Sequence, residues 1–144
     1  MSGHYASDFR TEDDPLRAAI SLMVLEMVGA TVLRFKGFKS GHVEMQLVTA
    51  AIDYGCAVRS PLGVSSISHM THLSRHKVYD CLDELRSKGW YHKVDVLGIP
   101  YPVYVPNLDH VKHQETKPLT HYDRMLQIAT RLKPFCQAGA SEVT

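Results

Sequence analysis

Cysteine is scarce in this chain, and what there is does not pair. The 144 residues hold three cysteines, Cys56, Cys81 and Cys136, an odd number with no CxxC spacing. That excludes a disulfide scaffold and argues against a cysteine-rich zinc site. A charge excess of one sign is also missing: 16 Lys and Arg stand against 15 Asp and Glu, for a net charge of +1. The chain is therefore no polycation that binds by bulk charge. No uninterrupted apolar run approaches the roughly 18 residues of a membrane span. The opening MSGHYASDFRTEDDP lacks the basic segment and apolar stretch of a secretory signal. The expectation is a cytoplasmic chain with no membrane partner. Enzyme signatures are missing too, with no Gly-rich phosphate loop, GxSxG or HExxH. His42-Val43-Glu44 would suit a zinc deaminase, but no PCxxC follows it. Neither catalysis nor a cofactor is expected.

What is present is a soluble-type composition, 44% hydrophobic and 22% charged. The length fits one domain. Residues 1–13 read as a flexible N-terminus, 14–134 as a single domain and 135–144 as a flexible tail. Asp14 and Pro15 open a first helix over about 14–36, with Leu16, Ile20, Met23, Val24, Met27 and Val28 at helical spacing. Leu25, Val32, Leu33 and Phe35 widen its apolar face beyond one stripe, so it is expected to meet both its own core and a second subunit. Gly37 is its stop. A second helix, HVEMQLVTAAIDYG, is expected to bury Val43, Leu47, Val48, Ala51 and Ile52 and to end at Gly55. A short helix near Ser66–Thr71, a turn and a helix over about 75–88 follow, with Gly89 behind.

WYHKVDVLGIPYPVYVP then changes period and is rich in Val and Tyr, which predicts an exposed β-hairpin. NLDHVKHQETKP reads as a polar linker with at most one helical turn. The last helix, over about 119–134, would be capped by Thr120, carry Asp123 in its first turn and close at Pro134. The expected fold is mainly α with a small β-hairpin, in the order of a winged helix-turn-helix.

The stretch from His72 to Lys93 carries the functional signal. Ser74 is placed to cap a helix whose Val78, Cys81, Leu82 and Leu85 fall on one face at steps of three and four. The face must pack on the preceding short helix through Ile67 and Met70. The other side carries Arg75, His76, Lys77, Tyr79, Asp80 and Asp83. A plain amphipathic helix with solvated charges has the same pattern. Three features favour a helix that reads a DNA groove. The turn THLSR is as short as a helix-turn-helix needs, a hairpin follows Gly89, and the local charge is basic. From Arg59 to Lys93 there are six basic residues against three acidic ones, with four histidines.

Residues Ile67 to Lys93 resemble the winged helix-turn-helix of the multiple-antibiotic-resistance repressor (MarR) family. The resemblance rests on Ile67, Leu73-Ser74-Arg75, Val78, Leu82, Leu85 and Gly89. It implies a dimeric, sequence-specific transcription regulator, with N- and C-terminal dimerisation helices and two recognition helices in successive major grooves of double-stranded DNA. Carried over by position, DNA contacts fall on Ser74, Arg75, His76, Lys77, Tyr79 and Asp80, with Lys93 on the hairpin. The sequence departs from the pattern at Thr71 and His72, where a large apolar residue and Gly are usual. The hairpin tip also lacks the Asp-x-Arg element that resemblance leads one to expect.

Two other readings follow from the residues. The apolar tip with Leu97 and Ile99, and Asp80 on the groove face, would suit a winged helix that binds a protein partner at the wing. Glu26, His42, His110 and His113 are candidate metal ligands, set against nine scattered histidines. Tyr54, Cys56 and Arg59 mark a region where a small effector would bind, or simply a core edge and loop.

Overall fold

A computed structural model describes residues 15–115, 121–131 and 133–134. The expected segments 1–13 and 135–144, and the caps Asp14 and Thr120, lie outside the described residues. The chain is mainly helical with one small hairpin. Its elements are α1 (Pro15–Arg34), α2 (His42–Ala57), α3 (Val64–Thr71), α4 (Arg75–Ser87), β1 (Tyr91–Val94), β2 (Val103–Pro106), α5 (Leu108–Glu115) and α6 (His121–Thr130). The described residues fall into two compact units: those within Thr31–Thr120, and those within Met1–Ala30 and His121–Thr144.

In the larger unit the core gathers Phe35, Met45, Val48, Ile52, Ile67, Val78, Cys81, Leu82, Leu85, Tyr91 and Tyr104. Residues distant in sequence meet there because α2, α3 and α4 each present one apolar face and the hairpin adds a fourth layer. Helix α2 buries three of the five residues its spacing suggested, Val48, Ala51 and Ile52, together with Met45 and Thr49, whereas Val43 is 54% and Leu47 41% exposed. Thr49 is satisfied in the core, its hydroxyl donating to the Gln46 carbonyl at 3.0 Å and accepting from the Arg34 guanidinium at 3.2 Å. Gly55 does not end α2. It is buried inside the helix, where an added Cβ would lie 2.8 Å from Leu62 and 2.9 Å from the Ser60 carbonyl. The helix turns off at Arg59, in the left-handed region at φ 59°.

Glu84 ties α4 to the entrance of α2. Its carboxylate accepts the backbone N–H of Lys39 at 2.7 Å and of Ser40 at 2.5 Å. Burial alone would raise its pKa, but hydrogen bonds from Ser40 and Lys39 and the Lys39 charge outweigh that and hold it below the ordinary value. A carboxyl depressed on folding adds stability above its unfolded pKa, about 4.3, and loses it as pH falls further. Glu84→Gln is therefore expected to lower stability by about 1 kcal/mol at neutral pH, a figure discounted for partial exposure. The gap between the two proteins should narrow in urea melts as pH falls below the unfolded reference of about 4.3.

The hairpin pairs Tyr91 with Pro106, His92 with Val105, Lys93 with Tyr104 and Val94 with Val103, antiparallel. Leu62 adds a bridge to Tyr104, so the loop before α3 edges the same sheet. The expected linker after β2 is instead a helix. Asn107 caps α5, its Oδ1 accepting the Asp109 N–H at 3.0 Å, and its side-chain amide also donates to the Gly89 carbonyl at 2.7 Å. His110 stacks on Trp90, with centroids 4.8 Å apart. The signal was there in an Asn cap, Asp109 in the first turn and Lys112 in the last.

In the smaller unit, Ala30 and Ile128 are buried and Arg131 pairs with Glu26. Helix α1 keeps most of its apolar side chains in solvent: Leu16, Ile20, Leu22, Val24, Leu25, Met27, Val28, Val32 and Leu33 are all exposed. Despite its interrupting charges, α1 is long and apolar enough by length and composition to cross a membrane, with a mean hydropathy of 1.8. It is one such helix among the described residues, where the sequence reading expected none, and one such helix is weak evidence of a span. The core helix of a soluble protein and a signal sequence pass the same test.

Candidate functional site

Helix α4 begins at Ser74, whose hydroxyl accepts the Lys77 N–H at 3.2 Å. The residue is extended (φ −62°, ψ 154°), as a side-chain N-cap must be. The three-residue turn before it is set by small polar groups. Thr71 Oγ1 donates to the Ile67 carbonyl at 2.7 Å and accepts from the Leu73 N–H at 3.4 Å. Ser68 Oγ donates to the Leu73 carbonyl at 2.6 Å. Thr71 is thus buried where an apolar residue is usual in the resembling pattern, because its hydroxyl is satisfied locally. His72 takes the left-handed conformation at φ 59° that Gly would take freely. His72→Gly is expected to raise stability by up to about 1 kcal/mol, the left-handed strain relieved less the added chain entropy. A thermal melt at fixed protein concentration measures it.

With the start of α4 fixed, its two faces are fixed. Val78, Cys81, Leu82 and Leu85 are buried. Burial pushes the Cys81 thiol up to about 11, so it is a core residue and not a nucleophile. Ser74, Arg75, His76, Lys77, Tyr79 and Asp80 are exposed, and Lys93 is exposed on β1. These seven residues therefore lie on the surface of one unit. His76 Nε2 lies 3.5 Å from Asp80 Oδ2, one helical turn on. Met70 is exposed, so Ile67 alone of the two expected contacts carries the α3 side of the core. At the hairpin tip Leu97 is fully exposed and Ile99 half-buried.

Two clefts flank α4. One, of about 420 Å³, lies on the side of Lys39, Glu44, Lys77, Asp80 and Glu84. The other, of about 260 Å³, lies between α3, α4 and the hairpin, and is lined by Ser65, Ser66, Tyr79, Lys93, Tyr101 and Tyr104 among others. Sequence reading missed Ser65, Ser66, Tyr101 and Tyr104, because only folding brings the loop before α3 against β2. Gly63 makes that approach possible: a Cβ there would stand 2.7 Å from the Tyr101 ring and 3.1 Å from the Pro102 carbonyl.

Among the described residues no three His, Cys, Asp or Glu side chains gather as a metal site. Glu26 is engaged by Arg131 and His110 by Trp90, which gives each a structural role. Of the candidate effector residues, Tyr54 and Arg59 are exposed, and the half-buried Cys56 thiol points to the Tyr104 carbonyl at 3.7 Å. No family model, curated protein or solved structure matches this chain.

Proposed function

We propose that the protein is a dimeric, sequence-specific DNA-binding transcription regulator of the cytoplasm, with α3 and α4 as its helix-turn-helix and the hairpin as its wing. One observation carries the reading. The Ser74 cap and the buried Val78–Leu85 face leave Arg75, His76, Lys77 and Tyr79 exposed together at the start of a helix that fits a major groove. The resemblance of Ile67–Lys93 to the winged helix of the MarR family supports it, as does the paired hairpin directly after Gly89. The dimer would form through α1 and α6, where, among the described residues, nine large apolar side chains of α1 and Leu126 of α6 are exposed.

Arg75→Ala and Lys77→Ala are each expected to weaken operator binding by about 1–3 kcal/mol where the side chain reads a base. Where it meets only phosphate, affinity falls equally for all sequences and the salt slope drops by about one. Selecting duplexes from a random pool supplies the operator. An inverted repeat with half-sites one helical turn apart is the expected product. Two variants that bind every duplex as the parent does would sink the reading.

A second reading is a winged helix that binds a protein. Asp80 on the outward face and the fully exposed Leu97 favour it. Flow-through on a DNA column at low salt would select this second reading, and retention the first.

A further inference from the structure

Asp80 is the residue of α4 that fits a DNA-facing surface least. It is exposed on the outward face of the helix, where a duplex would bring phosphates. It also lines the cleft on that side, where Glu44, Asp80, Asp83 and Glu84 stand against Lys39 and Lys77. Glu84 is held there by the backbone N–H groups of Lys39 and Ser40. Asp80 is met instead by a titratable group: His76 Nε2 lies 3.5 Å from its Oδ2, one helical turn back. A neutral imidazole at that distance makes no strong hydrogen bond. A protonated one makes an ion pair that cancels the carboxylate charge.

The two side chains are 87% and 54% exposed, so in the free protein their pairing is worth little. A duplex laid on this face displaces water and lowers the local dielectric, which strengthens every charge interaction there. The carboxylate then requires a counter-charge, and the approaching phosphates favour the imidazolium as well. Protonation of His76 is therefore favoured more in the complex than in the free protein. The coupling is reciprocal: a complex that holds the proton more tightly gains affinity as pH falls and loses it as pH rises through the histidine range.

We infer that the His76–Asp80 pair makes duplex binding proton-coupled, with DNA held toward pH 6 and released toward pH 8, about the range in which histidine changes charge. The inference rests on the function proposed above and adds its regulation. The other charged groups around the pair are Arg75, Lys77 and Asp83 on α4, with Lys39, Glu44 and Glu84 in the cleft lining. None is of a type that changes charge over this range. His69 on α3, His72 in the turn and His92 on β1 are of that type and are exposed. Their contribution is common to the parent and to both variants below.

His76→Gln and Asp80→Asn test the pair, since both positions are exposed and neither change removes core packing. Affinity for the selected operator is measured at about pH 6, 7 and 8 at constant ionic strength. It is measured again over roughly 50–200 mM salt at the two extremes. The parent should bind roughly fivefold tighter per recognition helix at the acid end, the size expected where the complex holds the proton about ten times more tightly. Its salt slope should steepen by about one per helix. In His76→Gln the ratio of affinities between the two extremes falls to the background of the other histidines. Asp80→Asn gains most at the alkaline end, so its ratio falls too. A histidine that met phosphate by itself would leave the Asp80→Asn ratio at the parent's value.

A parent whose affinity does not change with pH, or either variant keeping the parent's full ratio, overturns the inference. Arg75→Ala and Lys77→Ala would then still weaken binding, so DNA recognition would stand without the proton coupling. A protein that binds no duplex at any of the three pH values removes both.

Discussion

Leu82→Ala is expected to lose about 2–5 kcal/mol of folding stability, enough to leave a substantial unfolded fraction in a domain of ordinary stability. Leu82 is fully buried, at the point where α4 meets α2 and α3. It shares one core with residues from several elements: Phe35 after α1, Ile52 on α2, Ile67 on α3 and Tyr104 on β2. Such a site collapses poorly around a cavity, which puts the cost toward the upper half of that range. The loss would reach function as well, because this contact holds the outward face of α4 at its angle. Tyr79→Ala, on the same helix but half-exposed, is the control and should stay within about 0.5–1 kcal/mol. Urea melts followed at Trp90, the single tryptophan, read both at one protein concentration, which matters because association shifts apparent stability. Equal midpoints for the two variants would mean that α4 does not bury the face described here.

The start and stop of α4 were legible because both signals are local. Ser74 needs only its own hydroxyl and the next turn to define a cap, and Gly89 needs only its freedom at φ 75° to end the helix. The hairpin was legible from period and composition, down to its exposed tip. The inward face of α2 was legible in part. Val48, Ala51 and Ile52 are buried as their spacing predicts, but Met45 and Thr49 take the places expected of Val43 and Leu47, and the Arg34 guanidinium that bonds Thr49 comes from another element. Helix α5 was hidden because its residues are polar, and what holds it is Asn107 bonding back to Gly89 and His110 stacking on Trp90. The outward-facing residues of α4 could be named from spacing alone. The cleft beside them could not, since Ser65 and Tyr104 are brought to one place only by the bridge between Leu62 and β2.

Leu25→Asp is expected to convert a dimer into a monomer at micromolar concentration. Nine large apolar side chains of α1 are exposed in the single chain, and Leu25, at 70%, is the most exposed of them. Monomeric proteins rarely leave so continuous an apolar surface in water. In the proposed dimer a second copy would cover it at no cost in new sequence, since a two-fold interface uses the same patch on both sides. For the same reason each substitution acts twice. Losing two buried leucines, at about 2 kcal/mol apiece, already amounts to about 4 kcal/mol, or roughly a thousandfold in dimer Kd. Burying two unpaired carboxylates adds further cost. Operator affinity should fall with it, because each half-site would then be bound without the effective concentration its twin supplies. Leu97→Asp, at the wing tip, changes the same chemistry outside α1 and should leave the dimer intact. Sedimentation equilibrium decides the matter. A parent protein that is monomeric at micromolar concentration and instead floats with lipid vesicles would assign α1 to a bilayer, as its mean hydropathy of 1.8 also permits, and would remove the dimer from the proposed mechanism.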